Sequence, residues 1–303
     1  MTWVILAAGT AVFYALHGAW SKETAARVGS LLGAWSLFLF SLPLFVLYLA
    51  ATGVPDLGPR FWPALITTSL VNTASIYLFF SALRDGELGV TYPLLALSPL
   101  FMVPVEWVLL GELPGPWGGV GIILMVLGIY LLNFDSRVAR DLIGPFRALG
   151  ASPGARKAMA VAVLWAVAGT VDRVAVLDSS PAFYGVALSA ALSCTFLPLF
   201  FLTRWKGENG DSTGRGSVPL MTALGAAGPL WLAIHGLLFA AMFVLQMEAL
   251  RLALASYVLS IKRAGSLLAV VLGWAAFRER ALAPRLLGSA ITAFGATVLV
   301  VWG

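Results

Sequence analysis

The sequence predicts an all-α integral membrane protein of ten transmembrane helices, arranged as two inverted five-helix repeats. Three observations lead to this fold class. The 303-residue chain is 60% hydrophobic and 11% charged, with a mean hydropathy of +0.93, which is too apolar for a soluble globular protein. Apolar runs of roughly 20 residues, the length that crosses a bilayer, fill nearly the whole chain. The two halves also resemble each other in sequence.

The predicted crossings follow one another with short polar connections and leave no room for a soluble domain. Each is an apolar stretch near the length that a helix needs to span the hydrocarbon core. The first lacks a basic leading segment and runs directly into further apolar helices, so we expect a retained crossing and not a cleaved signal peptide. The predicted crossings are residues 3–21, 31–50, 61–82, 88–110, 115–133, 157–177, 182–203, 228–249, 254–277 and 283–302.

Matching residues recur between the two halves at an offset of 167 residues. Because each half holds an odd number of crossings, the second repeat must enter the membrane from the opposite side. Inverted repeats place a substrate site near the middle of the membrane and allow two mirror-related states to exchange, which is the geometry of alternating access. A duplicated bundle that serves as a scaffold or an enzyme is the alternative. The matched pairs are Ala82 with Ala249, Trp107 with Trp274, Glu112 with Glu279, Gly121 with Gly288 and Gly128 with Gly295.

The connections between helices indicate the orientation of the chain. Basic residues concentrate in connections 1–2, 3–4, 5–6, 7–8 and 9–10, whereas the alternate connections hold only Arg60, Arg173 and Arg251. By the positive-inside rule the basic connections are cytoplasmic, which predicts a multi-pass protein of the cell inner membrane with both termini outside. The predicted organisation is a first repeat over 1–134, a cytoplasmic linker over 135–156 and a second repeat over 157–303.

Related motifs close the fourth and ninth predicted helices. Gly111-Glu112 follows the fourth helix and Arg278-Glu279-Arg280 the ninth, and Gly-rich helices five and ten come after them. In these motifs the chain resembles the drug/metabolite transporter superfamily, specifically its ten-helix EamA-type carriers, which are related to nucleotide-sugar and triose-phosphate translocators. The resemblance covers essentially all of the chain. It implies the drug/metabolite transporter fold and the transport of a small molecule.

Lys262 and Arg263 stand out as charges inside a predicted crossing. They lie about nine residues into helix nine, roughly 13 Å along it, where a charge costs about 2.5–3.5 kcal/mol on insertion scales. Arg offers a planar fork that fits carboxylate or phosphate and Lys a compact charge, so the two could bind one oxyanion. The same Lys-Arg step resembles that of the triose-phosphate translocators, which implies a role in binding a substrate phosphate. The alternative is a structural pair neutralised by Glu106, Asp172 or a backbone carbonyl.

Two predicted helices carry polar stripes on one face. Tyr14 and His17 lie on the stripe of helix one, and His235 and Gln246 on that of helix eight, at helical spacing. A polar stripe faces a cavity and not lipid, so these side chains are candidate substrate ligands. Each His is either an interhelical hydrogen-bonding residue or a proton-coupling group, because imidazole titrates near physiological pH. The His-x-x-Trp step ending at Trp20 resembles a pattern of an EamA subgroup associated in part with phosphonate use, which implies a place for Trp20 in the site.

The remaining candidates lie on helices three, four, six and nine. Glu106 is either a counter-charge for the cations of helix nine or a proton carrier. Asp172 and Arg173 at the end of helix six are predicted to form an exposed ion pair, and a gate is the alternative. Asp172 is also a candidate for a coupling or counter-charge role. Three further candidates, which could line the cavity or pack between helices, are Asn72, Trp165 and Tyr257.

The residue inventory argues against catalysis and against metal or cofactor binding. The chain has two His and one Cys, and it carries no His-Glu-x-x-His, Gly-x-Ser-x-Gly or phosphate-binding Gly-rich motif. The net charge of +5 belongs mainly to membrane-protein loops and indicates no nucleic-acid partner. We therefore predict a secondary transporter of a small organic anion bearing phosphate, phosphonate or carboxylate, acting as a monomer or homodimer with a coupling proton or a counter-substrate. An exporter of amino acids or aromatic metabolites and a flippase of lipid-linked headgroups are the alternatives.

Overall fold

The computed structural model describes residues 1–28, 30–133, 143–205, 228–265 and 283–303, and within these ranges the chain forms helices and no strand. Helices suit a lipid environment, because each helix satisfies its own backbone N–H and C=O groups where no water is present to do so. The helices are α1 (Thr2–Val28), α2 (Ser30–Thr52), α3 (Phe61–Asp85), α4 (Leu88–Leu95), α5 (Ser98–Leu110), α6 (Pro116–Asn133), α7 (Gly144–Ala151), α8 (Pro153–Leu177), α9 (Pro181–Trp205), α10 (Pro229–Leu252), α11 (255–265) and α12 (Ala283–Trp302).

Many of these helices are long and apolar enough to cross a membrane. Among the described residues, six stretches meet that requirement, and shorter apolar helices lie within α6, α9 and α12. The prediction of a multi-pass membrane protein is confirmed. The predicted ninth crossing begins at residue 255, and its part beyond residue 265 lies outside the described residues. The six stretches are Thr2–Val28, Leu32–Thr52, Phe61–Asp85, Val90–Leu110, Pro153–Leu177 and Pro229–Leu252.

The predicted fourth crossing, 88–110, is interrupted. α4 ends at Leu95 and α5 begins at Ser98, with a turn between them. Pro99, in the first turn of α5, explains the break. Proline has no N–H to donate to the carbonyl of residue 95, and its ring clashes with that carbonyl in a continuous helix. The prediction of one unbroken helix, made from apolar length, was wrong here.

A short helix, α7, lies in the segment predicted as a linker between the repeats. It is followed closely by α8, which begins at Pro153, four residues before the predicted crossing. Ser152 is the N-cap of α8, because its hydroxyl accepts a hydrogen bond from the Ala155 N–H at 3.3 Å. The start of the α8 helix is therefore fixed by a cap and not by where the apolar run begins.

Helices from the two halves of the chain pack together in antiparallel pairs. α1 lies along α10, α2 along α9, α3 along α8 and α6 along α12. In the two repeats, α1 corresponds to α8, α2 to α9, α3 to α10 and α6 to α12. Exchanging corresponding helices turns the α1–α10 pair into the α8–α3 pair and leaves the α2–α9 and α6–α12 pairs unchanged. A two-fold axis between two repeats would produce this pattern of neighbours.

Glycines bring α6 and α12 into backbone contact. A Cβ on Gly128 would lie 2.6 Å from the carbonyl oxygen of Gly288, and one on Gly295 would lie 3.0 Å from the carbonyl oxygen of Gly121. Small residues let membrane helices approach this closely. These are the same four glycines that match between the two halves of the sequence, and replacing each by its match turns the contact of Gly128 with Gly288 into that of Gly295 with Gly121.

Large aromatic side chains fill the space between α2, α3, α9 and α10. Phe45, Phe61, Tyr184 and Phe196 are almost fully buried there. Phe45 also meets the Phe243 ring edge-on, with centroids 5.2 Å apart. This packing fixes the position of α9, and with it the hydroxyl of Tyr184, which takes part in the candidate site.

Candidate functional site

Lys262 lies in a polar neighbourhood formed by α1, α8 and α10. Its ammonium group donates a hydrogen bond to Gln246 Oε1 at 2.6 Å and lies 5.2 Å from the centroid of the Tyr14 ring. It also interacts electrostatically with the carboxylate of Asp172. Lys262 is seven residues, roughly 10 Å, from the start of α11. Four predicted site residues from four helices are thus brought together.

Arg263 points to a different neighbour. Its guanidinium carbon lies 5.0 Å from the centroid of the Trp165 ring, within cation–π range. Trp165 packs in turn on Phe79, with ring centroids 5.5 Å apart. Successive residues of a helix point about 100° apart, so Lys262 is directed to α1 and α10 while Arg263 is directed to α8. The two cations border the same region from one helix.

Asp172 is held by two hydroxyl groups from neighbouring helices. Its Oδ1 accepts hydrogen bonds from Thr68 at 2.6 Å and from Tyr184 at 2.5 Å. Asn72, another predicted site residue, donates to the Thr68 hydroxyl at 3.0 Å and so supports this arrangement from α3. The expectation of an exposed Asp172–Arg173 ion pair was wrong, because the two adjacent side chains diverge along the helix and find separate partners.

Arg173 is buried and joins three helices, α5, α8 and α10, at one end of the bundle. Its Nε donates to the carbonyl oxygen of Leu250 at 3.0 Å, and its guanidinium pairs with Glu112. The carboxylate of Glu106 lies 4.0 Å away. Arg173 is therefore an interior residue and not the loop residue that the charge pattern suggested.

Glu106 caps the start of α11. Its carboxylate oxygens accept hydrogen bonds from the backbone N–H groups of Ala255 and Ser256, the latter at 3.2 Å. A carboxylate at this place satisfies N–H groups that lack a helical partner and complements the positive end of the helix dipole. The structure gives Glu106 these partners and Arg173, in place of the cations of α11.

His17 and His235 meet between α1 and α10. Their rings stack with centroids 5.2 Å apart, and the Ser21 hydroxyl lies within hydrogen-bonding distance of Nε2 of both rings. Phe239 leans against His17, with ring centroids 5.8 Å apart. His17 also interacts electrostatically with Lys262, so the histidine pair borders the Lys262 neighbourhood.

Trp20 closes one end of the α1–α10 contact. Its ring stacks on that of Trp231 with centroids 3.9 Å apart, and its Nε1 donates to the Trp231 carbonyl at 3.2 Å. The Nε1 of Trp231 donates to Thr24 at 3.0 Å, and Arg27 lies over the Trp231 ring at 3.8 Å. Trp20 therefore belongs to an aromatic contact between α1 and α10 that lies one helical turn beyond the histidine pair.

Tyr257 lies apart from these residues. Its hydroxyl accepts a hydrogen bond from the Gly115 N–H at 3.2 Å, and its ring packs near that of Trp3. It is five residues, roughly 7.5 Å, from Lys262 along α11. The structure does not bring Tyr257 together with the other predicted site residues.

Thr68, Tyr184 and Arg173 take part in these contacts but were missed as site residues. Thr68 carried a signal, because it precedes Asn72 by four residues and so shares its face of an apolar helix. Tyr184 carried none, since its role depends on the approach of α9 to α8 and α3. Arg173 was misassigned because it lies near the end of an apolar stretch.

The assembled cluster joins both signs of charge with neutral donors and acceptors. The cations are Lys262 and Arg263 and the anion is Asp172, surrounded by hydroxyl, amide, imidazole and indole groups. In the described part of the chain, no group of three or more His, Cys, Asp or Glu side chains is arranged to hold a metal ion. These described side chains supply ionic groups and hydrogen-bond donors and acceptors.

Comparison with known proteins agrees with the helical membrane fold. Residues 1–134 match the EamA-like transporter family. A solved crystal structure superposes on 98% of this chain and 95% of its own with a TM-score of 0.65, and its 18% sequence identity makes this a likeness of fold alone. No curated protein matches the sequence. The predicted resemblance to EamA-type carriers is confirmed, and the protein is a multi-pass membrane transporter whose first 134 residues match the EamA-like transporter family.

Proposed function

We propose that the protein is a secondary transporter of a small organic anion bearing a phosphate, phosphonate or carboxylate group. Lys262 and Arg263 bind the anion. The observation that carries this proposal is the position of the two cations, inside a membrane helix and facing polar side chains of neighbouring helices. Charges within a membrane protein are costly and are found where they bind substrates, ions or each other.

The partners of Lys262 leave its charge available for an anion. Its hydrogen-bond acceptor, Gln246, is a neutral amide, and Tyr14 offers a ring face. A substrate oxyanion could replace the amide oxygen at a similar distance and would form the stronger, charge-assisted hydrogen bond. Arg263 is held by the face of Trp165, from which a planar guanidinium can still reach an oxyanion.

The arrangement of helices supports alternating access. We propose ten crossings in two inverted repeats, over 1–134 and 157–303, joined by the cytoplasmic segment 135–156. The symmetric pairing of helices and the glycine contacts between α6 and α12 support a two-fold relation between the halves. Because Arg173 is buried, only Arg60 and Arg251 remain in the alternate connections. This strengthens the proposal that both termini lie outside the cell inner membrane.

A second candidate is an exporter of amino acids or aromatic metabolites. One observation favours it, namely that Asp172 lies within electrostatic range of Lys262. A carboxylate and an ammonium group in one site complement the ammonium and carboxylate of an amino acid, and Trp165 could contact an aromatic side chain.

Ligand-induced stabilisation of the purified protein separates these candidates. We would screen phosphorylated, phosphonate, carboxylate, amino-acid and phospholipid-headgroup compounds by thermal shift, because binding at 100 times Kd stabilises by about 2.7 kcal/mol. We expect a phosphorylated, phosphonate or carboxylate compound to stabilise the wild type. Stabilisation by amino acids alone would favour the exporter, and stabilisation by lipid headgroups alone would favour a flippase.

Variants of the two cations test the site itself. We expect Lys262→Gln and Arg263→Gln to lose the ligand response. The matched controls Lys22→Gln and Arg251→Gln remove exposed cations of the same type and should keep it. An undiminished response in both site variants would overturn the assignment of Lys262 and Arg263 as anion ligands.

A further inference from the structure

The two oxygens of Asp172 have different surroundings. Oδ1 accepts both hydroxyl hydrogen bonds, from Thr68 and from Tyr184. Within the part of the chain that the structure describes, Oδ2 accepts no hydrogen bond. Thr68 and Tyr184 are fully buried, so the carboxyl group is held firmly through one oxygen while the other is open. Such a carboxyl group can gain or lose a proton at Oδ2 without losing its anchors.

Asp172 and a substrate anion compete for the same cation. In the structure, the carboxylate of Asp172 interacts electrostatically with Lys262. An anion bound to Lys262 would be exposed to the negative charge of Asp172 in a medium of low dielectric constant, where like charges repel strongly. A proton on Asp172 removes that repulsion.

We propose that Asp172 carries the coupling proton of transport, taking up one proton at Oδ2 when an anion binds to Lys262 and Arg263 and releasing it when the anion leaves. This inference rests on the proposed function. The charges balance for a monovalent anion. In the empty site, Lys262, Arg263 and Asp172 sum to +1, and the loaded site keeps this sum because the charges of the added anion and the added proton cancel. An O–H bond forms at Oδ2 with a proton from the water on the side where the site is open, and the proton returns to water on the other side.

Other titratable groups of the candidate site are alternative carriers of the coupling proton. His17 and His235 share the Ser21 hydroxyl, and a proton added at Nε2 of His17 disturbs that hydrogen bond. A proton added to His235 would bind at Nδ1, which is buried and has no hydrogen-bond partner among the described residues. The carboxylate of Glu106 caps α11 and has no open place comparable to Oδ2. Among the charged and titratable groups, Tyr184 of α9 donates to Asp172 and Lys262 of α11 interacts with it electrostatically. Tyr14 and His17 of α1 and Arg263 of α11 lie around Lys262 in turn, and His235 of α10 stacks on His17.

Counting protons on binding tests the inference. We would titrate the purified protein with inorganic phosphate, methylphosphonate and pyruvate, one probe for each anion class, by calorimetry in buffers of different ionisation enthalpy. Comparison with Asp172→Asn cancels any proton taken up by the probe itself. We expect the wild type to take up about one more proton per bound anion than Asp172→Asn, and Glu23→Gln, which removes an exposed carboxylate outside the site, to match the wild type.

Each contrary outcome has a separate meaning. Equal proton uptake in the wild type and Asp172→Asn would overturn the role of Asp172. If none of the three probes binds to the wild type, the proposed function fails and the inference falls with it. Should Asp172→Asn not fold, Tyr184→Phe serves in its place. It removes one anchor of the carboxyl group and should displace the pH at which proton uptake is half complete, whereas an unchanged pH profile would contradict the inference.

Discussion

His17 and His235 stack nearly parallel, with an interplanar angle of 9°, and a single hydroxyl joins them. The Ser21 Oγ lies 3.1 Å from His17 Nε2 and 2.9 Å from His235 Nε2. A hydroxyl has one proton, so it donates to one neutral ring and must accept from the other. The two histidines therefore hold different tautomers when both are neutral. Among the described residues, His235 Nδ1 is buried without a hydrogen-bond partner. Because a buried donor without a partner is rarer than a buried acceptor without one, we assign the Nε2–H tautomer to His235.

Loss of the Ser21 hydroxyl should destabilise the contact between α1 and α10. We expect Ser21→Ala to lower the free energy of unfolding by about 1–3 kcal/mol, because it leaves a buried imidazole nitrogen without a partner. Reversible unfolding in detergent measures the effect. Thr297→Ala is the control, since that exposed hydroxyl bonds only to a carbonyl of its own helix. Equal stability of the two variants would show that the bridge contributes nothing.

Arg173 should be more important for stability than any exposed arginine. We expect Arg173→Gln to cost about 3–5 kcal/mol, the range for breaking a buried ion pair, because Glu106 loses its buried cation and the Leu250 carbonyl its donor. Arg251→Gln removes an arginine that is 48% exposed and should change stability by less than about 0.5 kcal/mol. Thermal unfolding of both variants in the same detergent provides the comparison. A small effect of Arg173→Gln would argue against its role in joining the helix ends.

The contact between α6 and α12 should tolerate no side chain at Gly128. Valine there would overlap backbone and side-chain atoms of α12, since a Cβ alone comes within 2.2 Å of Thr292 Oγ1. We expect Gly128→Val to destabilise the protein by about 1–3 kcal/mol, as overpacking does. Gly119→Val is the matched control on the same helix, because no atom lies within 4 Å of its Cβ position. If both variants unfold alike, the two helices do not pack as the structure shows.

The sequence predicted the membrane crossings well because apolar length is a local property. It could not predict the break before Ser98 from length, although the position of Pro99 contains the reason. The His17 and His235 stripes correctly indicated interior faces, since both residues meet between α1 and α10. Which side chains would touch could not be predicted, because the pairing of α1 with α10 and of α3 with α8 brings together residues that lie 72 to 214 positions apart in contacts such as Asp85 with Lys157 and Ser21 with His235.

In the candidate site too, residues with a local sequence signal were predicted, and residues whose role depends on contacts between helices were not. Lys262 and Arg263 were found because a charge in an apolar helix is conspicuous. Thr68 and Tyr184 were missed because hydroxyl groups are common in membrane helices, and only the approach of α3 and α9 to Asp172 gives these two a shared partner. Glu106 was found for its charge, but its role as a helix cap depends on where α11 begins.

The contact between Arg60 and Asp178 should depend on pH. The guanidinium Nη2 donates to Asp178 Oδ1 at 2.7 Å, and this hydrogen bond holds the pKa of Asp178 below its usual 3.8. A carboxylate with a lowered pKa contributes stability above its unfolded pKa and loses it as the pH falls through its folded pKa. We therefore expect the contact to persist at neutral pH and to break only in acid below pH 3.8.

An NMR titration of the Asp178 carboxyl carbon measures that dependence. In Arg60→Gln the pKa of Asp178 should rise toward its ordinary value, because the guanidinium donor is gone. Arg251→Gln, which removes an exposed arginine paired with Glu248, should leave the Asp178 titration unchanged. An Asp178 pKa that is the same with and without Arg60 would contradict the assignment of the hydrogen bond as its cause.

Counterflow in proteoliposomes tests the central claim, that Lys262 and Arg263 bind a transported anion. Vesicles loaded with the anion that gives the largest thermal shift would take up the radiolabelled compound by exchange, which needs no driving force. We predict exchange by the wild type and by Lys22→Gln, and a rate at least about tenfold lower in Lys262→Gln, which corresponds to the loss of about 1.4 kcal/mol of binding. Exchange by Lys262→Gln and Arg263→Gln at the wild-type rate would contradict the claim.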